Sequence, residues 1–169
     1  MLHPKMQDAI NKQINAEYFS AFLYLAMAAR FTGLGLAGGA NWMNVQFQEE
    51  LAHARKFFDY VGERGGTAKL ETIAGPPTEW QDALAMFEHA YAHEQKVTGL
   101  INGLADMALE LKDHATHNFL QWFIAEQVEE VASMDQLLKI VERAGENGLL
   151  LVEDFVAKGT TVSAKESRP

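Results

Sequence analysis

The sequence predicts an all-α fold: a four-helix bundle with a long crossover between its second and third helices and a short fifth helix at the C-terminus. Three observations predict it. Apolar residues recur at alternating spacings of three and four in four separate stretches. A segment of about 13 residues bounded by Gly and Pro divides the second stretch from the third. Each stripe is interrupted near its middle by residue types that bind metals.

The first stripe is Ile10, Ile14, Glu17, Ala21, Tyr24, Ala28 and Phe31. Its helix starts after Pro4, a residue suited to a first turn, and ends near Arg30 to Thr32, before Gly33. The second stripe is Met43, Gln46, Glu50, His53, Phe57 and Tyr60, on a helix from about Gly39 to Glu63 that stops at Gly65-Gly66. The third is Leu84, Phe87, Tyr91, Glu94, Thr98, Ile101 and Ala105, on a helix that Thr78 can cap and that reaches about Lys112. The fourth is Leu120, Phe123, Gln127, Glu130, Met134, Leu137 and Val141, on a helix from about Ala115 to Ala144 that ends at Gly145. A short fifth helix is expected over about Leu149 to Ala157, with a polar tail after it; the domain is drawn at 1–158 and the tail at 159–169. The periodicity puts each stripe on one helical face, the face that normally meets a core.

Residues Gly65 to Pro77 read as an extended link. About 13 such residues span at most roughly 43–47 Å. A helix of about 26 residues is roughly 39 Å long. The link can therefore run the length of the bundle and start the third helix at the opposite end from where the second stopped. In such a bundle Glu17, Glu50, His53, Glu94, Gln127 and Glu130 all converge near mid-height. A short-loop bundle would do the same, so depth argues for one shared site and leaves the crossover open.

Composition bounds the function. The chain has 169 residues, 48% of them hydrophobic, enough for one domain with a core. It has no cysteine, which removes disulfides, thiolate zinc sites and thiol nucleophiles. The first residues, MLHPKMQDAINKQ, hold no apolar h-region, and no segment has the apolar length of a membrane span. A cytoplasmic protein is expected. The formal charge of −9 disfavours nucleic acid as a partner.

Buried carboxylates cost several kcal/mol each unless a cation joins them. None of the four stripes contains Lys or Arg. One Glu in a stripe is ordinarily a boundary residue, and one E-x-x-H is a weak signal. Four stripes interrupted at compatible depths by potential ligands point instead to bound metal. Glu50 and His53 form E-x-x-H, one turn apart on one face. Gln127 and Glu130 repeat that spacing as Q-x-x-E. Symmetric di-iron bundles use one Glu from each of two helices and E-x-x-H from the other two. The departure here predicts two unequal metal positions. One has Glu17, Glu50 and His53; the other has Glu94 and Glu130, with Gln127 as an optional ligand and Glu50 as the bridge. Oxygen donors with one imidazole suit iron or manganese, and the set leaves zinc open. Glu49, Glu126 and Glu129 form a second acidic set that Glu130 can also serve. A solvated acidic face explains that set equally well.

These segments carry a resemblance. NAEYFSAFLYL around Glu17, QFQEELAHARKFFDY around Glu50 and His53, YAHEQ around Glu94, and NFLQWFIAEQVEE around Gln127 and Glu130 resemble bacterial non-haem ferritins over nearly the whole chain. The resemblance implies a ferritin-like fold and a ferroxidase that oxidises Fe(II) with O₂ or H₂O₂ and stores ferric oxyhydroxide in a cage. It places di-iron ligands at Glu17, Glu50, His53, Glu94, Gln127 and Glu130, and a third iron site at Glu49, Glu126, Glu129 and Glu130. It puts Tyr24 beside the centre as an electron donor and Trp122 nearby, where a core aromatic needs no other role. It implies a homo-oligomeric shell of twenty-four subunits closed through the fifth helix, whose Leu149, Leu150, Leu151, Val152, Phe155 and Val156 are too apolar for exposure. Packing on its own bundle is the bland alternative for that helix, and burial at a subunit junction is the favoured reading. Haem is not expected, because Leu51 stands where haem-binding relatives carry Met. Asp113, His114 and His117 fall where the family forms its three-fold pores, although Leu120 replaces an acidic position of animal ferritins. A di-iron oxidoreductase acting on peroxide or an organic substrate, without mineral storage, is the alternative.

Overall fold

The computed structural model describes the backbone of residues 1–166; after Gly145, only the side chains of Val152, Glu153 and Val156 are described. The elements are α1 (Pro4–Gly33), α2 (Ala37–Glu63), α3 (Ala83–Glu110) and a final helical stretch His114–Glu166. Gly145, at φ 58° and ψ −175°, breaks that last stretch in two. We call the parts α4 (114–144) and α5 (146–166). Such a backbone is open to glycine and strained for other residues.

Local chemistry sets the helix starts. The His3 side chain accepts the Lys5 N–H and Pro4 occupies the first turn of α1. Asp82, at the start of α3, accepts the Ala85 N–H at 2.8 Å. Thr78 is therefore not the cap, and the link continues to Asp82. Trp80, in that link, packs against the core and donates its indole N–H to His89 Nδ1 at 3.0 Å. Asp113 caps α4, accepting the Thr116 N–H at 3.2 Å and the Thr116 hydroxyl at 2.7 Å.

Topology follows from which ends meet. Arg64, just past α2, pairs with Asp113 between α3 and α4 at 3.1 Å. Phe31, near the end of α1, packs on Phe87, early in α3, with ring centroids 5.2 Å apart. α3 therefore ends where α2 ends and begins where α2 begins. The two helices are parallel, and the link must traverse the bundle, as its length allows.

Every residue of the first and second stripes is buried. In the fourth, Glu130 alone keeps some exposure, 12% of its side chain. The third is turned from its expected angle. Phe87, Glu94, Ile101 and Ala105 are buried, but Leu84, Tyr91 and Thr98 sit at the edge, while Met86, Ala90, His93, Val97 and Leu104 face inward. Many apolar residues on both flanks made the centre of that face ambiguous.

The core is divided. One cluster gathers Leu23, Met27, Phe31, Met43, Met86, Phe87, Met134, Leu137 and Val141. The other gathers Met6, Ile10, Ile14, Phe57, Tyr60, Val97, Ile101, Leu120 and Phe123. The polar residues at the stripe centres lie between them.

α5 begins immediately after Gly145 rather than near Leu149, and its backbone continues past Ala157. Val152 and Val156 are buried in the first core cluster, so this part of α5 packs on its own bundle. The Glu153 carboxylate accepts the N–H groups of Gly38 and Gly39 at the start of α2. Leu149, Leu150, Leu151 and Phe155 lie outside the described side chains, as do those of the expected tail. Among the described residues no helix is long and apolar enough to cross a membrane.

Candidate metal centre

Four helices deliver the polar layer. α1 brings Glu17, fixed by a 2.8 Å hydrogen bond from Gln13 one turn earlier to its Oε1. Gln13 is itself buried. α2 brings Glu50 and His53; α3 brings Glu94; α4 brings Gln127 and Glu130. Glu17, Glu50, Glu94 and Gln127 are at most 4% exposed and His53 is 5% exposed.

Glu17, Glu50 and His53 each turn one ligand atom into a common space, all within 4.8 Å of one another. His53 Nδ1 lies 3.6 Å from Glu50 Oε2 and 3.9 Å from Glu130 Oε1. The imidazole thus links the two sides of the layer and presents Nδ1 to it. On the far side Gln127 Nε2 lies against Glu130 Oε2 and 3.5 Å from Glu94 Oε2. The Tyr24 hydroxyl donates to Glu94 Oε1.

The electrostatics are those of anions gathered in dry protein. Burial, then the charge of Glu50, pushes the Glu17 carboxyl well above its ordinary range. Burial, then Glu94 and Glu130, does the same to Glu50. Glu94 is raised by burial, against the opposing hydrogen bonds from Tyr24 and Gln127. Burial and Glu94 push Glu130 up to about 8. Tyr24 is raised by burial and by its carboxylate neighbours, which hold its hydroxyl in the protonated, donating form. Oε2 of Glu17 and Oε2 of Glu50 are buried without a hydrogen-bond partner. Such atoms are rare in folded proteins and costly. A divalent cation would satisfy both, and the carboxylate-rich donor set with one imidazole fits iron.

Comparison with known proteins agrees. A family model described as a ferritin-like domain matches residues 7–144. The chain belongs to the ferritin family. Among curated ferritins, the bacterial non-heme ferritin of Bacteroides fragilis (strain 638R) is 43% identical over 153 residues, covering 90% of this chain and 96% of its own. That of Staphylococcus saprophyticus is 40% identical over 159 residues, covering 93% and 95%. A solved structure of an open pore ferritin from the hyperthermophilic archaeon Archaeoglobus fulgidus superposes with a TM-score of 0.91 at 50% identity, covering 93% of this chain and 98% of that one.

Other expected ferritin residues fall less centrally. Glu49 is half-buried and accepts from Gln46 at 2.6 Å. Glu126 is half-buried and Glu129 is exposed. Among the described residues the only triad of His or acidic side chains with ligand atoms that close together is Glu17, Glu50 and His53. Trp122 is not a core residue. It is 38% exposed, lies edge-on to His53 at 5.4 Å, and carries Lys56 Nζ 3.9 Å above its ring. Asp113 is engaged by Arg64 and Thr116, while His114 is exposed and His117 half-buried.

The sequence reading of this ferritin missed Gln13 and His93. Gln13 had a signal: it precedes Glu17 by four residues, a spacing at which helical side chains meet. His93 had none, because its partner is on another helix. Ser20 Oγ lies 3.1 Å from the Ala16 carbonyl and 2.8 Å from His93 Nε2, so the hydroxyl and the imidazole share a hydrogen bond between α1 and α3.

Proposed function

We propose that this ferritin stores iron and acts as a ferroxidase, with Fe(II) as the substrate of the polar layer. Glu17, Glu50 and His53 hold one Fe(II). Glu94, Glu130 and Gln127 hold the other, and Glu50 is shared. The observation that carries this reading is the pair of partnerless carboxylate oxygens on Glu17 and Glu50, buried between two apolar half-cores.

The chemistry is one-electron oxidation of each metal. Two Fe(II) reduce O₂ with two protons to H₂O₂, or H₂O₂ with two protons to two waters. Two Fe(III) leave the centre and hydrolyse to oxyhydroxide. The protein holds the two ions together, excludes bulk water and leaves coordination positions open. Tyr24 steadies Glu94 and is positioned to supply an electron. Glu49, Glu126 and Glu129, with Glu130, form a third iron position on the way out. Leu51 offers no thioether, in keeping with a haem-free protein.

Storage needs an enclosure, and the reading includes a cytoplasmic homo-oligomeric shell of twenty-four subunits. Phe22 (41%), Leu25 (42%) and Leu70 (66%) are large apolar side chains left exposed on the isolated chain, which favours self-association.

The test is aerobic iron loading of wild type and Glu17→Ala, followed by sedimentation and electron microscopy. Wild type should form large shells that retain hundreds of irons or more, and the variant should oxidise iron more slowly at first. Equal initial rates would remove Glu17 from the site. A wild type that sediments as monomer or dimer and retains no mineral would favour a di-iron oxidoreductase.

A further inference from the structure

Thr98 lies one helical turn after Glu94 and has no place in the ligand set proposed above. Its hydroxyl is 2.9 Å from the Glu94 backbone carbonyl and 2.8 Å from Gln127 Oε1 on α4. A hydroxyl has one proton and two acceptor lone pairs, so it donates to one of these at a time. The other end of the Gln127 amide turns Nε2 to Glu130 and towards Glu94. With NH₂ covering the two carboxylates, Thr98 gives its proton to Oε1.

A cation between Glu94 and Glu130 reverses the demand on that amide. It requires an oxygen, and an NH₂ group cannot bind it. Turning the amide over places Oε1 towards the cation and Nε2 against Thr98. Thr98 then gives its proton to the Glu94 carbonyl and accepts from Nε2. Each amide atom has a partner in both orientations. Among neutral side chains only one that both donates and accepts at the same atom allows this, and Thr98 is such a side chain.

We propose that Thr98 is the positioning residue on which the Gln127 amide pivots, from covering the carboxylates to ligating the second metal. The inference rests on the reading of Glu94, Gln127 and Glu130 as that second position. Its cost structure is asymmetric. Without a cation, the Glu130 and Glu94 carboxylates still hold Nε2, and Gln127 borders a groove it lines with Thr98, Tyr91 and Asn102, where water can stand in for the Thr98 hydroxyl. With a cation bound, Gln127 is pinned, and an apolar residue at 98 leaves its Nε2–H groups without a partner. The loss falls on the loaded state.

Calorimetric titration of the full-length metal-free protein with Zn(II), and with Co(II) followed by visible absorption, tests the pivot without turnover. Wild type should take two ions per chain in the centre. Thr98→Val should keep the first and weaken the second roughly tenfold, the cost of an orphaned buried donor. Thr98→Ser should restore it, and the Co(II) spectrum of the second ion alone should change in the valine variant. Thr98→Ala gives the same readout should the valine disturb folding. Second-ion affinity in Thr98→Val equal to wild type overturns the pivot alone, as does Thr98→Ser as weak as Thr98→Val. A wild type that binds no second ion overturns the ligand reading, and the pivot with it.

Discussion

Glu153 and Gly38 meet across 115 residues of chain, the Gly38 N–H donating to the Glu153 carboxylate at 2.5 Å. Gly39 adds a second bond at 2.9 Å. Leu36, at the N-cap of α2, has no side chain to bond these groups. A carboxylate from α5 therefore completes the start of α2, where the helix dipole favours an anion. The contact is close because residue 38 has no Cβ. One placed there would lie 2.4 Å from the Glu153 backbone oxygen.

Gly38→Ala should push α5 away from α2 and destabilise the chain by about 1–3 kcal/mol, the usual cost of overpacking. Glu153→Gln should cost about 1 kcal/mol through the lost charge at the helix start. Thermal unfolding of the metal-free protein checks both. An alanine variant as stable as wild type would mean that α5 does not dock this way.

Glu17→Gln separates function from stability. It keeps the shape of a residue whose ionisation burial and Glu50 oppose. The metal-free variant should be as stable as wild type or more so, since replacing buried charge is often neutral or stabilising. Its rise in melting temperature on adding Zn(II) should shrink. A large loss of metal-free stability would argue that Glu17 is chiefly structural.

Glu130 gives a pH dependence. Its folded pKa is raised from 4.5 to about 8. A raised value means that its stabilising contribution is complete below the unfolded pKa and is lost as pH rises through the folded one. The metal-free protein should therefore lose stability between about pH 5 and pH 8. With Glu130 in the proposed ligand set, a bound cation needs its carboxylate, so binding at about pH 7 should release protons and tighten towards pH 8. Titration in buffers of different ionisation enthalpy measures this, and binding without proton release would contradict it.

His93 acts in the opposite sense. Burial, then Lys96 and His89, lowers it from 6.5 to about 4. A depressed value means stability present above the unfolded pKa and lost as pH falls through the folded one. The advantage of wild type over His93→Leu in chemical denaturation should thus shrink by up to about 3 kcal/mol as pH falls from about 6.5 to 4. A gap independent of pH would mean that the ring takes up its proton in the fold as readily as in the unfolded chain.

How much was legible depended on how local each cause was. The stripe through Ile10, Ile14 and Glu17 and the one through Glu50 and His53 are buried in full. Their spacing follows from the helical repeat. α3 has apolar residues on both flanks, so its inward angle was settled by what it packs against. Tyr91 moved to the edge and His93 moved in. Thr78 and Asp82 are both competent caps in isolation. Asp82 caps α3, and Trp80 before it packs against the core as part of the link.

By itself the sequence determined the four long helices, a link long enough to traverse the bundle, and the interruption of four apolar faces by carboxylates, His and Gln. Those features depend on residues a few positions apart and on the reach of the chain. Tertiary structure alone decided that Tyr24 bonds Glu94, that Thr98 faces Gln127, that His93 finds Ser20, and that Glu153 closes the start of α2. Each of those pairs joins different helices, and side-chain hydrogen bonds form only within about 3 Å. The rotation and offset of neighbouring helices bring such atoms within reach, and these are set by the packing of the whole core.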